Sequence, residues 1–394
     1  MIDFAILERL NAPDRAQRLE NLKALLPETV FPPMVPQYIN NHIHTTYSFS
    51  PYSPTAAVYA ARMEGLCTAG IIDHDSIAGA REFLEAAELV GMPATIGMEC
   101  RVSMAGTRLE GRRTNNPDQV GVSYMTIQSV PHDQIDTLDR FFAPYREARN
   151  VRNRQMVEKI NGLLPEIGLD FDRDVLPLSR YHEGGGVTER HLMYALAKKL
   201  TEQSGKGAGM VARLEEMGLA VSEKQRAQML DTEYPFYEYD LLGILKSAFV
   251  PRIYIDAAEE CPSLPEVVRL CREVDACLCY AYLGDVGESV TGDKKAQKFE
   301  DDYLEDVFAC LEEAGVWAVT YMPTRNTPAQ LERLRGLCER CGMFQVSGED
   351  INSPRQSFVI RAMENPLFQN LIDATWKLIE HEKTGAPLMP HTTK

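Results

Sequence analysis

His42 and His44 stand two residues apart, just after the apolar pair Tyr38-Ile39. In an extended strand, residues i and i+2 point to the same face, so both imidazoles can reach one metal ion. Alone, such a pair reads more readily as two solvent-facing histidines in a polar loop. Further along, Asp73-His74-Asp75 ends the β-prone run 68–73, and Glu99 ends the run 94–99. Asp350 lies just past a late run at 343–347. Ionisable groups at three successive strand ends are hard to explain as solvation, whereas convergence on one pocket accounts for them.

The elements that must position these residues alternate. Ser53-Pro54 is an N-cap followed by proline at the first helical position, and Gly65 closes that helix. Ser76 is expected to cap a second helix running to Leu89, with Gly91 behind it. Strand and helix in this order mean βαβ units, whose parallel strands bring their carboxyl ends to one crevice or barrel mouth. A fourth strand is expected at 120–127, and more at 276–282, 316–320 and 343–347, with helices at 264–274, 301–314 and 327–341 between them.

Five segments result. Residues 1–36 form an N-terminal helical extension and a Pro-rich linker, and 37–132 the first part of the barrel. Residues 133–240, with long amphipathic runs and a Gly-rich break at 204–209, form a helical insertion; 241–380 complete the barrel, and 381–394 are a tail. The polar stretch 284–298 is read as a mobile loop.

The 394 residues carry a net charge of -16, which disfavours long nucleic acid and membrane surfaces because both call for a positive face. No apolar run is long enough to span a bilayer, and the N-terminus lacks the pattern of a secretory signal. Nine scattered cysteines, an odd number, fit a reducing compartment. The chain is therefore expected to be cytoplasmic. Cys338 and Cys341 have the spacing of half a zinc site with no second pair, and read as packing residues.

Taken in order, His42-x-His44-Thr45, Ser53-Pro54, Gly65-Leu66, Ile71-Ile72-Asp73-His74-Asp75, Gly79 and Ile96-Gly97-x-Glu99 resemble the polymerase-and-histidinol-phosphatase (PHP) superfamily of metal-dependent phosphoesterases. Gly186-Val187-Thr188-x-Arg190-His191 is similar to the insertion-helix motif of the members that act on nucleotides and short oligonucleotides. Ser347-Gly348-Glu349-Asp350 resembles the closing Gly-Ser-Asp-x-His motif, and the resemblance spans roughly residues 40 to 375.

The resemblance implies an α/β fold: a distorted (β/α)7 TIM-like barrel of seven parallel strands, with up to three metals at its C-terminal mouth. Carried over by position, the first-metal ligands are His42, His44, Glu99 and Asp350, two nitrogen and two carboxylate donors that suit zinc, manganese or iron. The other sites depart from the pattern. Phe49 stands where an acidic ligand is usual, and Ser123, Tyr282 and Asn352 where histidines are. One well-formed divalent site is expected, with a second, weaker one only if His74, His132 or a substrate phosphate contributes.

The implied activity is hydrolysis of a phosphate ester, in a small phosphorylated metabolite or nucleotide, by a metal-activated water. The alternative is a catalytically reduced protein of the same fold that binds a phosphorylated ligand or serves as a regulatory scaffold. Metal-assisted hydrolysis of a non-phosphate substrate is a third reading. Arg190 and His191, in the first turn of a helix capped by Thr188, are candidates to replace a missing metal's charge, since a helix start favours anions. With His74 they form the catalytic set; Arg190, His191, Arg101 and Asn352 form the phosphate-binding set. Each has a plainer reading: His191 as a buried helix histidine, His74 as a hydrogen-bonding neighbour of the ligands, Arg101 as one half of a surface salt bridge, and Gly184 to Gly186 as a hinge. Asp73 is expected to orient His74 or a backbone turn. Asn115-Asn116 and Arg112-Arg113 could meet a phosphate or only solvent, and His182, His381 and His391 are taken as structural or disordered.

Overall fold

The structure, a computed structural model, describes residues 2–286 and 297–388. Most of the stretch read as a mobile loop, and residues 389–394 of the tail with His391, lie outside the described residues; the expected tail begins inside a helix, since 381–384 are helical. Two helices, α1 (Phe4–Leu10) and α2 (Arg15–Leu25), precede β1 (Val35–Ile43). Then come α3 (Pro54–Met63), β2 (Leu66–His74), α4 (Ala80–Leu89), β3 (Ala94–Ser103) and β4 (Val122–Gln128). Five helices follow: α5 (Ile135–Leu163), α6 (Glu189–Ser204), α7 (Ala208–Glu216), α8 (Glu223–Leu230) and α9 (Tyr237–Ile253). The chain closes with α10 (Leu264–Glu273), β5 (Cys277–Ala281), α11 (Leu304–Ala314), β6 (Ala318–Tyr321), α12 (Pro328–Cys341), β7 (Phe344–Ser347) and α13 (Gln369–Thr384).

The strands form one seven-stranded sheet in sequence order. A parallel bridge between Ile43 and Ile351 links its first edge to the chain just past β7, so the sheet curls into a nearly closed, distorted TIM-like barrel. All neighbours are parallel except those of β4, which runs antiparallel to both β3 and β5. The expected seven parallel strands are thus six parallel and one reversed. The reversal has a local cause: β3 returns to β4 through the loop from Met104 to Gly121, a hairpin connection with no crossover helix.

The close approach of β3 and β4 needs a glycine. A Cβ at Gly97 would lie 2.2 Å from the Ile127 carbonyl oxygen, so any side chain there would force the strands apart two residues before Glu99.

The largest apolar cluster fills the barrel and the space under its outer helices, with Ile39, Ile43, Ile71, Ile96, Met98, Met125 and Tyr280 among its buried members. The N-terminal helices are pinned to it by a buried bidentate pair, Arg18 Nε to Glu82 Oε1 at 2.8 Å and Arg18 Nη2 to Glu82 Oε2 at 2.6 Å. Removing either partner would strand a buried charge at a cost of about 3–5 kcal/mol. A second cluster is built from α5 to α9, through residues such as Met156, Leu192, Leu196, Leu214, Leu241 and Phe249. The helical run continues to Ile253, past the point near Leu241 where alternation was expected to resume. Helix α4 starts at Ala80 and not at Ser76, because the Ser76 hydroxyl donates to the Gly184 carbonyl at 2.7 Å and accepts from Ala78 N–H. No helix among the described residues is long and apolar enough to cross a membrane.

Candidate metal centre

The parallel register of β2 and β3 pairs His74 with Glu99, which sets the two side chains at the same height at the mouth. His42 and His44 reach it from the end of β1. Asp350 follows β7, held there by the backbone bonds His44 N–H to Ile351 O at 2.9 Å and Ile351 N–H to His42 O at 3.1 Å. The bridge that closes the barrel is therefore also what brings Asp350 to the histidines.

These five residues make two overlapping triads. His42, His44 and Asp350 form one, and His44, His74 and Glu99 the other, with ligand atoms in each within 4.8 Å of one another. Of the expected four ligands, His42, His44 and Asp350 fall in the first triad, and Glu99 falls with His44 and His74 in the second. Glu99 lies closer to His74, 3.0 Å from its Nδ1, than to His42, 3.8 Å from its Nε2. His44 is shared, 3.1 Å from Asp350 through Nε2 and stacked on His74 with ring centres 4.6 Å apart. His74, placed outside the first-metal set by the sequence, stands here as a donor of the second triad.

The tautomer of His44 follows from its neighbours. Asp73, 1% exposed, accepts from Thr45 N–H, from the Thr45 hydroxyl and from the Ser48 hydroxyl, each at 2.6 Å. With its proton committed to Asp73, Ser48 Oγ is left as the acceptor for His44 Nδ1–H at 3.2 Å. Nε2 of His44 then carries a bare lone pair and faces a carboxylate oxygen, which is repulsive unless a cation or proton lies between them. Nε2 of His42 and of His44 are both buried without a hydrogen-bond partner. Unsatisfied nitrogens aimed at carboxylates are what a divalent cation would satisfy, and the donor set fits one. Asp73 therefore orients the 45–48 turn and, through Ser48, His44; it does not orient His74.

Charge at the site is held by these same neighbours. Withdrawal from solvent acts to raise the Glu99 pKa, but the His74 and His42 imidazoles outweigh it and keep the carboxyl below the usual range. Asp350 behaves alike: desolvation opposes its charge, while His44, His42 and Arg190 hold it well below the ordinary value. Asn352 links two of these groups, donating from Nδ2 to Asp350 Oδ1 at 2.6 Å and accepting from Arg190 Nη1 at 2.6 Å. Where the resemblance implies a histidine ligand, Asn352 fixes the Asp350 carboxylate and the Arg190 guanidinium together.

Thr188 caps α6 as the sequence indicates. Its N–H donates to His191 Nδ1 at 3.0 Å, a capping box in which histidine takes the usual place of Glu or Gln. His191 is 1% exposed, and burial first, then the Arg149 charge, push its pKa down to about 3. It is a neutral imidazole with its proton on Nε2, able to donate a hydrogen bond but not to act as a cation near neutral pH. The Gly184 to Gly186 segment is tightly packed and not a hinge: Gly186 N–H donates to Tyr47 O at 2.7 Å, and a Cβ on Gly186 would meet His74 O at 2.8 Å.

Other expected residues are occupied elsewhere. Arg101, 3% exposed, pairs with Glu260 and lies 3.6 Å from Glu189, inside a buried network that also holds Arg149, Arg152 and Asp75. Its charge is spent on carboxylates of the wall above Glu99 and does not face open solvent at the mouth. Phe49 packs edge-on against His191 at 4.9 Å and joins the apolar cluster of α5 to α9. Tyr282 donates to Asp301 at 2.6 Å, and the Ser123 hydroxyl pairs with that of Thr114 at 2.7 Å. Asn115 straps β4 to β5 through the Tyr124 and Ala281 carbonyls, Arg112 pairs with Asp306, and Arg113 bonds the Asn116 and Pro117 carbonyls.

His132 cannot supply a second metal at the mouth. Because β4 is reversed, the residues after it emerge at the basal end of the barrel, where His132 Nε2 lies 3.5 Å from Glu382 Oε2. His381, read as structural, bonds the Asp275 and Ala386 carbonyls at the same end.

Sequence reasoning missed Ser48, Thr45 and the arginines of α5. Arg146, Arg149 and Arg152 recur every three residues along one helix, in a chain whose net charge is -16. That spacing was the available signal for one charged face turned inward against Asp75, Glu189 and Glu260.

A distorted α/β barrel with two His/carboxylate triads sharing one histidine at its mouth defines this chain's class of architecture. No protein-family model matches it, and no curated protein matches it significantly. Among solved structures it is similar to a Bifidobacterium adolescentis protein assigned as a metal-dependent phosphoesterase, at 20% identity and a TM-score of 0.53, over 84% of this chain and 96% of that one. It is also similar to an amidohydrolase from Chromobacterium violaceum, solved with bound sulfate and no metal, at 17% identity and a TM-score of 0.51, over 85% of this chain and 95% of that one. At such identities the likeness is one of fold.

Proposed function

We propose that the chain is a metal-dependent hydrolase of the PHP type, cleaving a phosphate ester of a small phosphorylated metabolite or nucleotide. The observation that carries this is the pair of triads sharing His44, with buried Nε2 atoms of His42 and His44 left without partners. His42, His44 and Asp350 would hold one divalent ion, zinc, manganese or iron, and His74 and Glu99 would complete a second, weaker position beside it. Such an ion supplies Lewis acidity, which acidifies water and offsets charge on a phosphoryl oxygen. Arg190, tethered by Asn352, would bind the anion, and His191 would donate a hydrogen bond to it as a neutral imidazole. His74, with its side chain 25% exposed, is more open than His42 or His44 and would exchange a proton with a leaving group when it is not holding the second ion. The phosphoesterase assignment of one structural neighbour is in keeping with an anionic substrate.

The second reading, a binding protein of the same fold without turnover, draws on Phe49 and Tyr282, which are engaged away from the triads. Metal analysis of the purified protein, followed by a phosphatase screen with Mn, Zn, Fe and Mg, separates the two. Phosphate release that depends on metal and is lost in His42→Ala is expected. Metal binding without release in any condition would favour the binding protein, and absence of metal binding would sink the hydrolase reading.

A further inference from the structure

The loop between β6 and α12 places a guanidinium at the same mouth. Arg325 is held there on one edge: its Nε donates to the Leu283 carbonyl at 3.2 Å, and Asn326 Nδ2 donates to that same oxygen at 2.8 Å. Its backbone is fixed by Arg325 N–H to Met322 O at 3.1 Å. Nη2 is buried with no hydrogen-bond partner, and among the described residues it is the one terminal guanidinium nitrogen left so. No ion pair to Arg325 is formed within the described residues.

A terminal guanidinium nitrogen carries two N–H donors, and leaving them buried and unused is costly. Burial pushes the Arg325 pKa down, and the carboxylates of Glu300, Asp350 and Glu349 act on it only from beyond contact distance. Asp350 also feels Arg190, so two guanidinium groups from different elements bear on the same triad carboxylate. Arg190 is already tied to Asn352, whereas Arg325 Nη2 is not committed. Thr320 Oγ1, Asn326 Oδ1 and Glu349 Oε2 are likewise buried without partners. Elsewhere in the chain buried arginines are matched by carboxylates, as Arg18 is by Glu82 and Arg152 by Glu189 and Glu260.

We infer that Arg325 is an anion-recognising residue of the site, binding a phosphoryl oxygen of the substrate from the side of the mouth opposite in sequence to the insertion that carries Arg190. This rests on the phosphate-ester reading above. A lysine there would restore the charge but not the planar fork, so it should rescue binding only in part.

The test is binding of inorganic phosphate to the Mn-supplemented protein, followed by calorimetry and checked by inhibition of ester cleavage. Arg325→Gln should weaken phosphate binding at least about tenfold, the scale of one charge-assisted hydrogen bond, with Arg325→Lys between it and wild type. Metal content should be unchanged in both variants, and both should unfold in one cooperative transition. Wild-type phosphate binding retained within about twofold in a folded Arg325→Gln overturns the assignment alone. Wild-type protein that takes up Mn yet binds no phosphate overturns the phosphate-ester reading itself, and this inference with it.

Discussion

Asp73→Asn isolates the contribution of one buried carboxylate to both fold and site. Its two oxygens accept three hydrogen bonds at 2.6 Å, and the group is 1% exposed, so solvent does not screen them. Bonds to a charged acceptor contribute about 1.5–3 kcal/mol and neutral ones about 0.5–1.5 kcal/mol. Neutralising Asp73 at constant volume should therefore cost about 1 kcal/mol per bond, about 3 kcal/mol in all. The amide can keep its oxygen toward Thr45 N–H and Ser48 and turn its NH2 to the Thr45 hydroxyl, so the fold should survive. Ser48 is held less firmly, and the His44 ring with it. Loss of an orienting partner behind a metal ligand typically lowers affinity about 10–100-fold. Urea denaturation of the metal-free protein reads the first effect, and competition with a chromogenic chelator for Zn or Mn reads the second. A variant as stable as wild type with unaltered metal affinity would refute the chain from Asp73 through Ser48 to His44. A variant destabilised as expected but with wild-type metal affinity would confine Asp73 to the turn.

Two pH effects follow from other buried groups. His191 is pushed down to about 3 in the folded protein, so below its ordinary value near 6.5 the unfolded chain binds the extra proton. Its contribution is complete above pH 6.5 and falls as pH drops, by about 2 kcal/mol at pH 5. His191→Gln, which keeps a capping-box acceptor, should flatten the stability profile between pH 7 and 5; an unaltered slope would contradict this. Glu300 runs the other way. Burial pushes it up to about 7, so the folded protein holds its proton longer and stability is lost as pH rises from 4.5 through 7. Glu300→Gln should then raise stability at pH 8 by about 3 kcal/mol and leave it nearly unchanged at pH 4.5, as urea midpoints at the two pH values would reveal.

Much of the barrel was legible because local signals and tertiary demands agree there. Ser53-Pro54 caps α3, Gly65 follows it, and His42, His44, His74, Glu99 and Asp350 do sit at one mouth, although Glu99 lies within β3, which runs on to Ser103 and not only to 99 as expected. The direction of β4 was not legible. Its alternation fixes which face is buried but not which way the strand runs, and a hairpin and a crossover look alike when the connecting loop lacks a helix. That one ambiguity misplaced His132 by the height of the barrel. Arg101 was read by strand alternation, which gives the face correctly but says nothing of Glu189 and Glu260, contributed from about 90 and 160 residues away in sequence. The division of the donors into two triads was hidden for a similar reason: position in a motif names a ligand, while distance decides which ligands it can share an ion with.

The reversed strand also makes the chain modular. Gln128, the last residue of β4, is paired directly with Cys277, the first of β5. Everything between them, from Ser129 to Ala276, leaves and re-enters at one point, so in topological terms it is an enlarged hairpin turn. All five triad residues lie outside that turn, and Arg190 and His191 lie within it. The donors that would grip a cation and two of the side chains that would cover its substrate, Arg190 and His191, therefore belong to separately exchangeable lengths of polypeptide, while Arg325 stays with the barrel. Such an arrangement lets lineages swap what is recognised without rethreading the barrel that performs the chemistry.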